Sequence, residues 1–246
     1  MSDDYRRSHL AKGADYDRDI SDGSFNSFMT EREAVLLPRL VSGLFPDGVP
    51  KYLDFACGTG RITSIVEPLA RESRGVDVSA SMVSEAARKC PRTKFVIRDI
   101  TSQALDESDF AMVTAFRFFG NAQDDLRRAV FRAVSRHLAM GGYFVFNNHR
   151  NAGSWRAALQ RAAGRYEDHA DLDLAKLTAL MAPAGLRIER TVGIGWWQLA
   201  HRFDTPTAFR SPLARLVEPL STLNVVAPHC PAYIVLARKV SEPPGH

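Results

Sequence analysis

Leu53-Asp54-Phe55-Ala56-Cys57-Gly58-Thr59-Gly60 (LDFACGTG, residues 53–60) is the stretch on which the reading of this sequence turns. It ends a short apolar strand, KYLDFA, and runs into a helical pattern, GRITSIVEPLARE. A glycine-rich loop between a strand and a helix is the context that nucleotide binding requires. Gly58 and Gly60 let the backbone turn tightly and approach a ligand with no Cβ in the way.

Outward from the loop the pattern alternates. SRGVDV (73–78) reads as a strand and ASMVSEAARKC (80–90) as a helix, with Ser79 as its N-cap. TKFVIRDI (93–100) and DFAMVTAFRF (109–118) read as strands. DDLRRAVFRAVSRHLA (124–139) reads as a helix, and the pair Gly141-Gly142 turns into the strand YFVFNNH (143–149). Strands alternating with helices predict βαβ units and a parallel sheet covered on both faces. Residues 1–50 read as a helical lead-in, clearest from Thr30 to Leu44, where Ala34, Leu37, Leu40, Val41 and Leu44 share a face before Pro46, Gly48 and Pro50 end it. Residues 150–185 look helical, with LDLAKLTALMAPAG clearest and Gly185 as a C-cap. LRIERTVGIGWW (186–197) and AYIVLARK (232–239) are two further strands. A segment over residues 196–230 separates them, far longer than the two to five or so residues of a hairpin loop, so it is structured or functional.

Two acidic residues strengthen the glycine loop. Asp77 ends the second strand, where a carboxylate can accept both hydroxyls of a ribose. Asp99 ends the third, within reach of an adenine edge. The loop and both carboxylates converge on the carboxyl edge of one sheet. Composition argues for little else. The 246 residues are 45% hydrophobic and 24% charged, ordinary for a globular chain with one large domain. The net charge of +4 comes from 26 arginines and only 6 lysines. Arg127, Arg128, Arg132 and Arg136 fit the solvated face of one amphipathic helix whose buried stripe is Leu126, Val130, Val134 and Leu138, so charge alone does not argue for nucleic acid. Cys57, Cys90 and Cys230 are scattered, with neither disulfide nor zinc spacing. No apolar run reaches the ~20 residues of a membrane span. The polar opening MSDDYRRSHLAKGADYD has no signal-peptide core, and a cytoplasmic protein is the expectation.

With these residues in hand the sequence resembles the class I S-adenosylmethionine-dependent methyltransferases. LDFACGTG looks like their first motif, GVDVSASMV the second, FVIRDI the third and LAMGGYFVFN the late Gly-Gly strand. The likeness covers residues 50–150 well and 170–240 loosely. Ala56 departs from it, standing where the first glycine usually does. The resemblance implies a Rossmann-like, doubly wound α/β fold: a seven-stranded sheet, mostly parallel, with an antiparallel last strand. Its domain would span 51–240, with 1–50 as a lid and 196–230 covering the substrate pocket. S-adenosylmethionine would lie with its methionine moiety at Asp54, Ala56, Gly58 and Gly60, and with its ribose on Asp77. Val78 or Met82 would meet the adenine ring and Asp99 with Ile100 its amino group, with Thr114 and Phe116 near the sulfonium. A dinucleotide dehydrogenase is the competing reading, but the third position after Gly60 is Thr63 rather than glycine, and Asp54 is uncharacteristic of that class.

The acceptor is less legible. TAFRFFGN (114–121) lacks the Pro-Pro-aromatic signature of enzymes that methylate adenine or glutamine amino groups. Arg117 and Asn147-Asn148, where catechol-type enzymes place acidic ligands, predict no metal. His149, past the fifth strand, and His201, in the long insertion, are the candidate bases. His169, Tyr166 and Asp168 read as surface. Phe116, Phe118, Phe119, Trp196, Trp197, Phe203 and Phe209 are candidate walls of an apolar acceptor pocket. Tyr16, Phe25, Phe28 and Arg32 would belong to the lid. The expected function is methyl transfer to an oxygen or nitrogen of a small metabolite by a monomer or homodimer; transfer to RNA and a non-catalytic binding module are the alternatives.

Overall fold

The computed structural model describes residues 25–166, 171–197 and 211–243. Helix α1 (Phe25–Leu44) leads into strand β1 (Val49–Phe55), followed by helix α2 (Arg61–Val66) and strand β2 (Ala70–Asp77). Helix α3 (Ala80–Lys89), strand β3 (Lys94–Ile97), strand β4 (Phe110–Ala115), helix α4 (Asp124–His137) and strand β5 (Leu138–Asn148) complete the alternating part. Helices α5 (Trp155–Ala162) and α6 (Leu174–Met181), strand β6 (Leu186–Ile194), helix α7 (Pro212–Val217) and strand β7 (Ala232–Lys239) come after it. The seven strands form one sheet in the order β3-β2-β1-β4-β5-β7-β6. β1 through β5 pair in parallel, while β7 runs antiparallel between β5 and β6. This is the Rossmann-like arrangement that the alternation and the resemblance predict.

Side-chain alternation splits the core in two. Leu53, Phe55, Val113, Phe144 and Phe146 face the layer containing α4 and α6. Tyr52, Met112 and Val145 face the layer containing α1 and α2. Asp54 and Thr114 share the second face with Tyr52, and their side chains meet there.

Three local readings need correction. The helix expected over 60–72 is only one and a half turns long, because Pro68 opens a 3₁₀ turn (Glu67–Leu69) and β2 already begins at Ala70. The fifth strand begins at Leu138, not after Gly141-Gly142. The glycine pair sits inside it as an irregularity, where a Cβ on Gly142 would lie 2.9 Å from Ala139 O and 3.0 Å from Phe110 O. Arg127 is not on the solvated face of α4: it is 1% exposed, bonded to the Phe119 carbonyl and paired with Asp124 and Asp171. No described helix is long and apolar enough to cross a membrane.

Candidate functional site

The carboxyl ends of β1, β2, β3 and β4 open on one cleft. In an open α/β sheet the crevice beyond the strand ends is where ligands bind. Asp54, Ala56 and Gly58 from the glycine loop, Asp77, Val78 and Met82 after β2, Asp99 after β3, and Phe116 and Phe118 after β4 all line it.

The loop holds its shape through the Asp77 carboxylate. Oδ2 accepts the Gly58 N–H at 2.9 Å and Oδ1 accepts the Ser79 N–H at 2.9 Å, so one side chain ties the glycine loop to the start of α3. Ser79 caps α3 as its position implies, its hydroxyl accepting the Met82 N–H. Gly58 and Gly60 take positive φ, and so does Ala56, at 52°. Alanine adopts that backbone only at a cost. The departure from the family motif is therefore a residue held in the conformation for which glycine is suited. Asp99 accepts the Thr101 N–H and hydroxyl through Oδ1, a turn that sets its carboxylate at the cleft wall.

Asp54 is 1% exposed. Its Oδ2 accepts from the Thr63 hydroxyl at 2.6 Å and its Oδ1 from the Thr114 hydroxyl at 2.7 Å. Thr114 in turn meets the Tyr52 hydroxyl at 2.6 Å. Burial pushes the Asp54 carboxyl up to about 6 in spite of both hydrogen bonds.

Some expected site residues stand elsewhere. Thr114 is fully buried behind Asp54, and Ile100 belongs to the core under the sheet edge, while its neighbours Asp99 and Thr101 face the cleft. Gly60 caps α2 and lies against Ala86. Phe119 is not a pocket wall: it stacks on Phe131 with centroids 4.6 Å apart and an interplanar angle of 5°, inside the core. Phe118 packs edge-on to both Phe119, at 5.2 Å, and Phe55, at 5.3 Å, and also lines the cleft. Trp196 and Trp197 both use their indole N–H groups to hold the insertion, on Val217 O and Glu218 Oε2. Trp197 also meets Phe28 of α1 edge-on at 5.9 Å. His201, Phe203, Phe209, Tyr16, Asp168 and His169 lie outside the described residues.

Periodicity did not mark three arginines that line the cleft, nor the glutamate that holds two of them. Glu33 of α1 is fully buried; its Oε2 is 2.7 Å from Arg61 Nη1 and 3.7 Å from Arg117 Nη2, and its Oε1 accepts from Asn147 Nδ2 at 2.6 Å. Arg117, with φ of 62°, also bonds Asn26 and Thr30 of α1. Arg61 and Arg117 line the cleft, as does Arg98. The one available signal was a glutamate, Glu33, beside the apolar stripe of α1. His149 stands at the end of β5, and burial together with Arg117, Arg150 and Arg61 drives its pKa well below 6.5.

Residues 53–142 match the family model described as "Methyltransferase domain". The fold resembles magnesium protoporphyrin IX methyltransferase from Synechocystis PCC 6803 with bound SAH (TM-score 0.64, 15% identity, 97% of this chain and 99% of that one covered). It also resembles the N-methyltransferase NodS from Bradyrhizobium japonicum WM9 in complex with S-adenosyl-L-homocysteine (TM-score 0.61, 17% identity, 97% and 98% covered). A TehB-like SAM-dependent methyltransferase from Corynebacterium glutamicum aligns with a TM-score of 0.54 at 19% identity over 82% of this chain and 86% of that one. Among curated proteins none matches.

Proposed function

We propose that this chain is a class I S-adenosylmethionine-dependent methyltransferase that passes the methyl group to an oxygen, or second to a nitrogen, of a small metabolite. What supports the choice of a small acceptor is the apolar character of the cleft beyond the strand ends, walled by Val78, Met82, Phe116 and Phe118. Glu33, Asn26 and Thr30 of α1 bind Arg61 and Arg117, two of the arginines that line it. A polynucleotide needs an open basic track, and the arginine row on α4 is not one: Arg127 is internal and Arg128 pairs with Asp125.

The residues present fit the methyl donor. Asp77 stands where a ribose diol would be accepted and Asp99 at the position for an adenine amino group. Val78, 38% exposed at the cleft, offers an aliphatic surface for a purine to cover, with Met82 beside it. Ala56 and Gly58 would hold the methionine moiety with Gly60 and Asp54 behind them, and Phe116 would stand by the sulfonium, which supplies an electrophilic methyl group when bound. The chain's own work is then alignment of the acceptor, exclusion of water by α1 and, for an acceptor that must lose a proton, acceptance of that proton by His149. His149 is neutral at physiological pH, the form a base requires.

Calorimetry with S-adenosylhomocysteine tests the donor site. Asp77→Ala removes a charged hydrogen-bond acceptor and is expected to weaken binding 10- to 100-fold, about 1.5–3 kcal/mol. Unchanged affinity would remove Asp77 from the site. A turnover screen that follows S-adenosylhomocysteine release tests the acceptor class. Turnover on structured RNA with none on small metabolites would overturn it.

A further inference from the structure

The segment that joins β6 to β7 has the polarity of a surface helix turned inside out. From Pro212 to Thr222 the chain forms α7 and then a 3₁₀ turn (Glu218–Thr222). A helix on a protein surface ordinarily turns its apolar stripe inward and its polar residues to water. Here Leu213, Leu216, Leu220 and Leu223, at helical spacing, are exposed, while Glu218 and Ser221 are buried. Glu218 is held inward by its partners: it accepts the Gly195 N–H and the Trp197 indole N–H and pairs with Arg32 of α1. Val225 continues the exposed row at 78%. Helix α5 adjoins it. Asn151, just ahead of that helix, donates to Pro228 O and Cys230 O at 2.7 and 2.8 Å, and the Trp155 ring lies 5.0 Å from that of His229. Trp155 and Leu159, one turn apart, are each about half exposed. Of the twelve large hydrophobic side chains exposed among the described residues, seven therefore fall in these two adjoining segments. Scattered surface leucines need no explanation, but such a concentration marks an interaction face.

The charges of these segments decide what the face fits. Residues 151–166 and 211–230 hold four arginines, Arg156, Arg161, Arg165 and Arg215, and one carboxylate, the buried Glu218. Arg165 and Arg215 are exposed, as is Arg161, which bonds the Ala152 carbonyl and lies over the Tyr166 ring. The whole chain has 28 acidic residues against 32 basic ones, so composition alone does not remove carboxylates from this surface. Leucine, valine and tryptophan beside arginine, with no exposed carboxylate, suit the surface of an anionic bilayer. The apolar side chains enter the boundary between headgroups and acyl chains, and the guanidiniums meet the phosphates. A second copy of the same face would instead bring arginines toward arginines. β6 runs parallel to β5, so Gly195 and Glu218 stand at the carboxyl edge of the sheet, the edge on which the cleft opens. We propose that this face, built by α7, the 3₁₀ turn after it and α5, docks on the surface of a bilayer that contains anionic lipid.

Sedimentation of the full chain with lipid vesicles tests the proposal. At about 100 mM salt, where surface charges still act over about 10 Å, the chain is expected to be retained on vesicles of phosphatidylglycerol and phosphatidylcholine in equal parts. Affinity for phosphatidylcholine alone should be weaker by about tenfold or more. Leu216→Ser combined with Val225→Ser changes no charge, and is expected to weaken retention on the anionic vesicles by about tenfold or more while leaving the thermal midpoint in place. Arg215→Gln leaves the apolar side chains in place and should weaken retention about fivefold, a difference that shrinks as salt is raised. It reads the same face should the serine variant fold poorly. Failure of the chain to sediment with anionic vesicles would overturn the proposal. So would equal retention of the folded serine variant, since the net charge of the chain rather than this face would then hold the lipid. A dimer in analytical ultracentrifugation that the serine substitutions dissociate, in a chain indifferent to vesicles, would assign the face to a second copy instead.

Discussion

Ala56 and Asp54 lie two positions apart and depart from the ordinary in different ways. Ala56 carries a Cβ at φ 52°, where an L-residue costs about 1–2 kcal/mol over glycine. Ala56→Gly also frees the unfolded chain, which offsets part of the gain. The expected net result is a protein more stable by up to about 1 kcal/mol, read as a rise of a few degrees in thermal midpoint. A lower midpoint would mean that the Ala56 methyl packs to more effect than its backbone strain costs. Asp54 is a matter of protons. Its carboxyl is raised from 3.8 to about 6, so between those values the folded chain holds a proton that the unfolded chain has lost. This contribution is full below about pH 4 and declines as pH rises through 6, a difference of about 3 kcal/mol. Asp54→Asn keeps an acceptor for one threonine hydroxyl and donates to the other. Its stability is therefore expected to be flatter than wild type between pH 4 and 7 in denaturant titrations. Both departures were half legible. The sequence shows alanine in a glycine position and an acid before the loop, but Thr114 becomes a partner of Asp54 only when β1 and β4 pair, and Thr63 only when α2 packs back on β1.

At the scale of elements, α1 is the piece whose attachment matters. Its buried apolar face, with Phe28, Met29, Leu36, Leu37 and Val41, keeps Leu37 and Val41 of the stripe that helical periodicity picks out, whereas Ala34 is exposed. Its polar contacts go to the ends of β4 and β5 and the start of α2. Removing one partner of a buried ion pair leaves the others uncompensated, at roughly 3–5 kcal/mol when burial is complete. Arg61 is 20% exposed, so Glu33→Gln is expected to cost less, about 2–3 kcal/mol. The loss should appear first as faster hydrogen exchange across residues 25–44, with the β1–β4 amides still protected. Uniform loss of protection would mean that α1 and the sheet unfold as one unit. The insertion has its own seat. Glu218 accepts both Gly195 and Trp197, and Gly193 lies so close that a Cβ would be 2.4 Å from Cys230 Sγ and 2.6 Å from Ser221 O. Gly193→Ala should therefore separate the 218–230 segment from β6 and destabilise the fold by about 1–3 kcal/mol in denaturant unfolding. The two tryptophans were read as pocket walls because aromatic residues at a strand end look alike whether they face a ligand or hold a loop. Their indole N–H partners, 21 residues further along the chain, distinguish the two.

For the molecule as a whole, the proposed donor site joins the ends of β1, β2 and β3, so ligand binding should stabilise the sheet as one unit. S-adenosylhomocysteine at 100 times its dissociation constant is expected to add about 2.7 kcal/mol, a shift of several degrees, whereas NADH should add none. A shift with NADH alone would return the glycine loop to the dehydrogenase reading. The net charge of +4 should matter little: weak, fully salt-sensitive retention on RNA is expected, and tight retention at about 200 mM salt would contradict the small-acceptor reading. The strand and helix alternation, the glycine loop and the carboxylates Asp77 and Asp99 were decided by the sequence alone, since hydrophobic period and turn chemistry act over a few neighbouring residues. Tertiary structure alone decided that Glu33 meets Arg61, Arg117 and Asn147, that Arg127 goes inward, and that Phe119 turns to the core while Phe118 also lines the cleft. These contacts join residues up to 114 positions apart. Charge and burial at such separations are set by which elements pack together, and no local pattern carries that information.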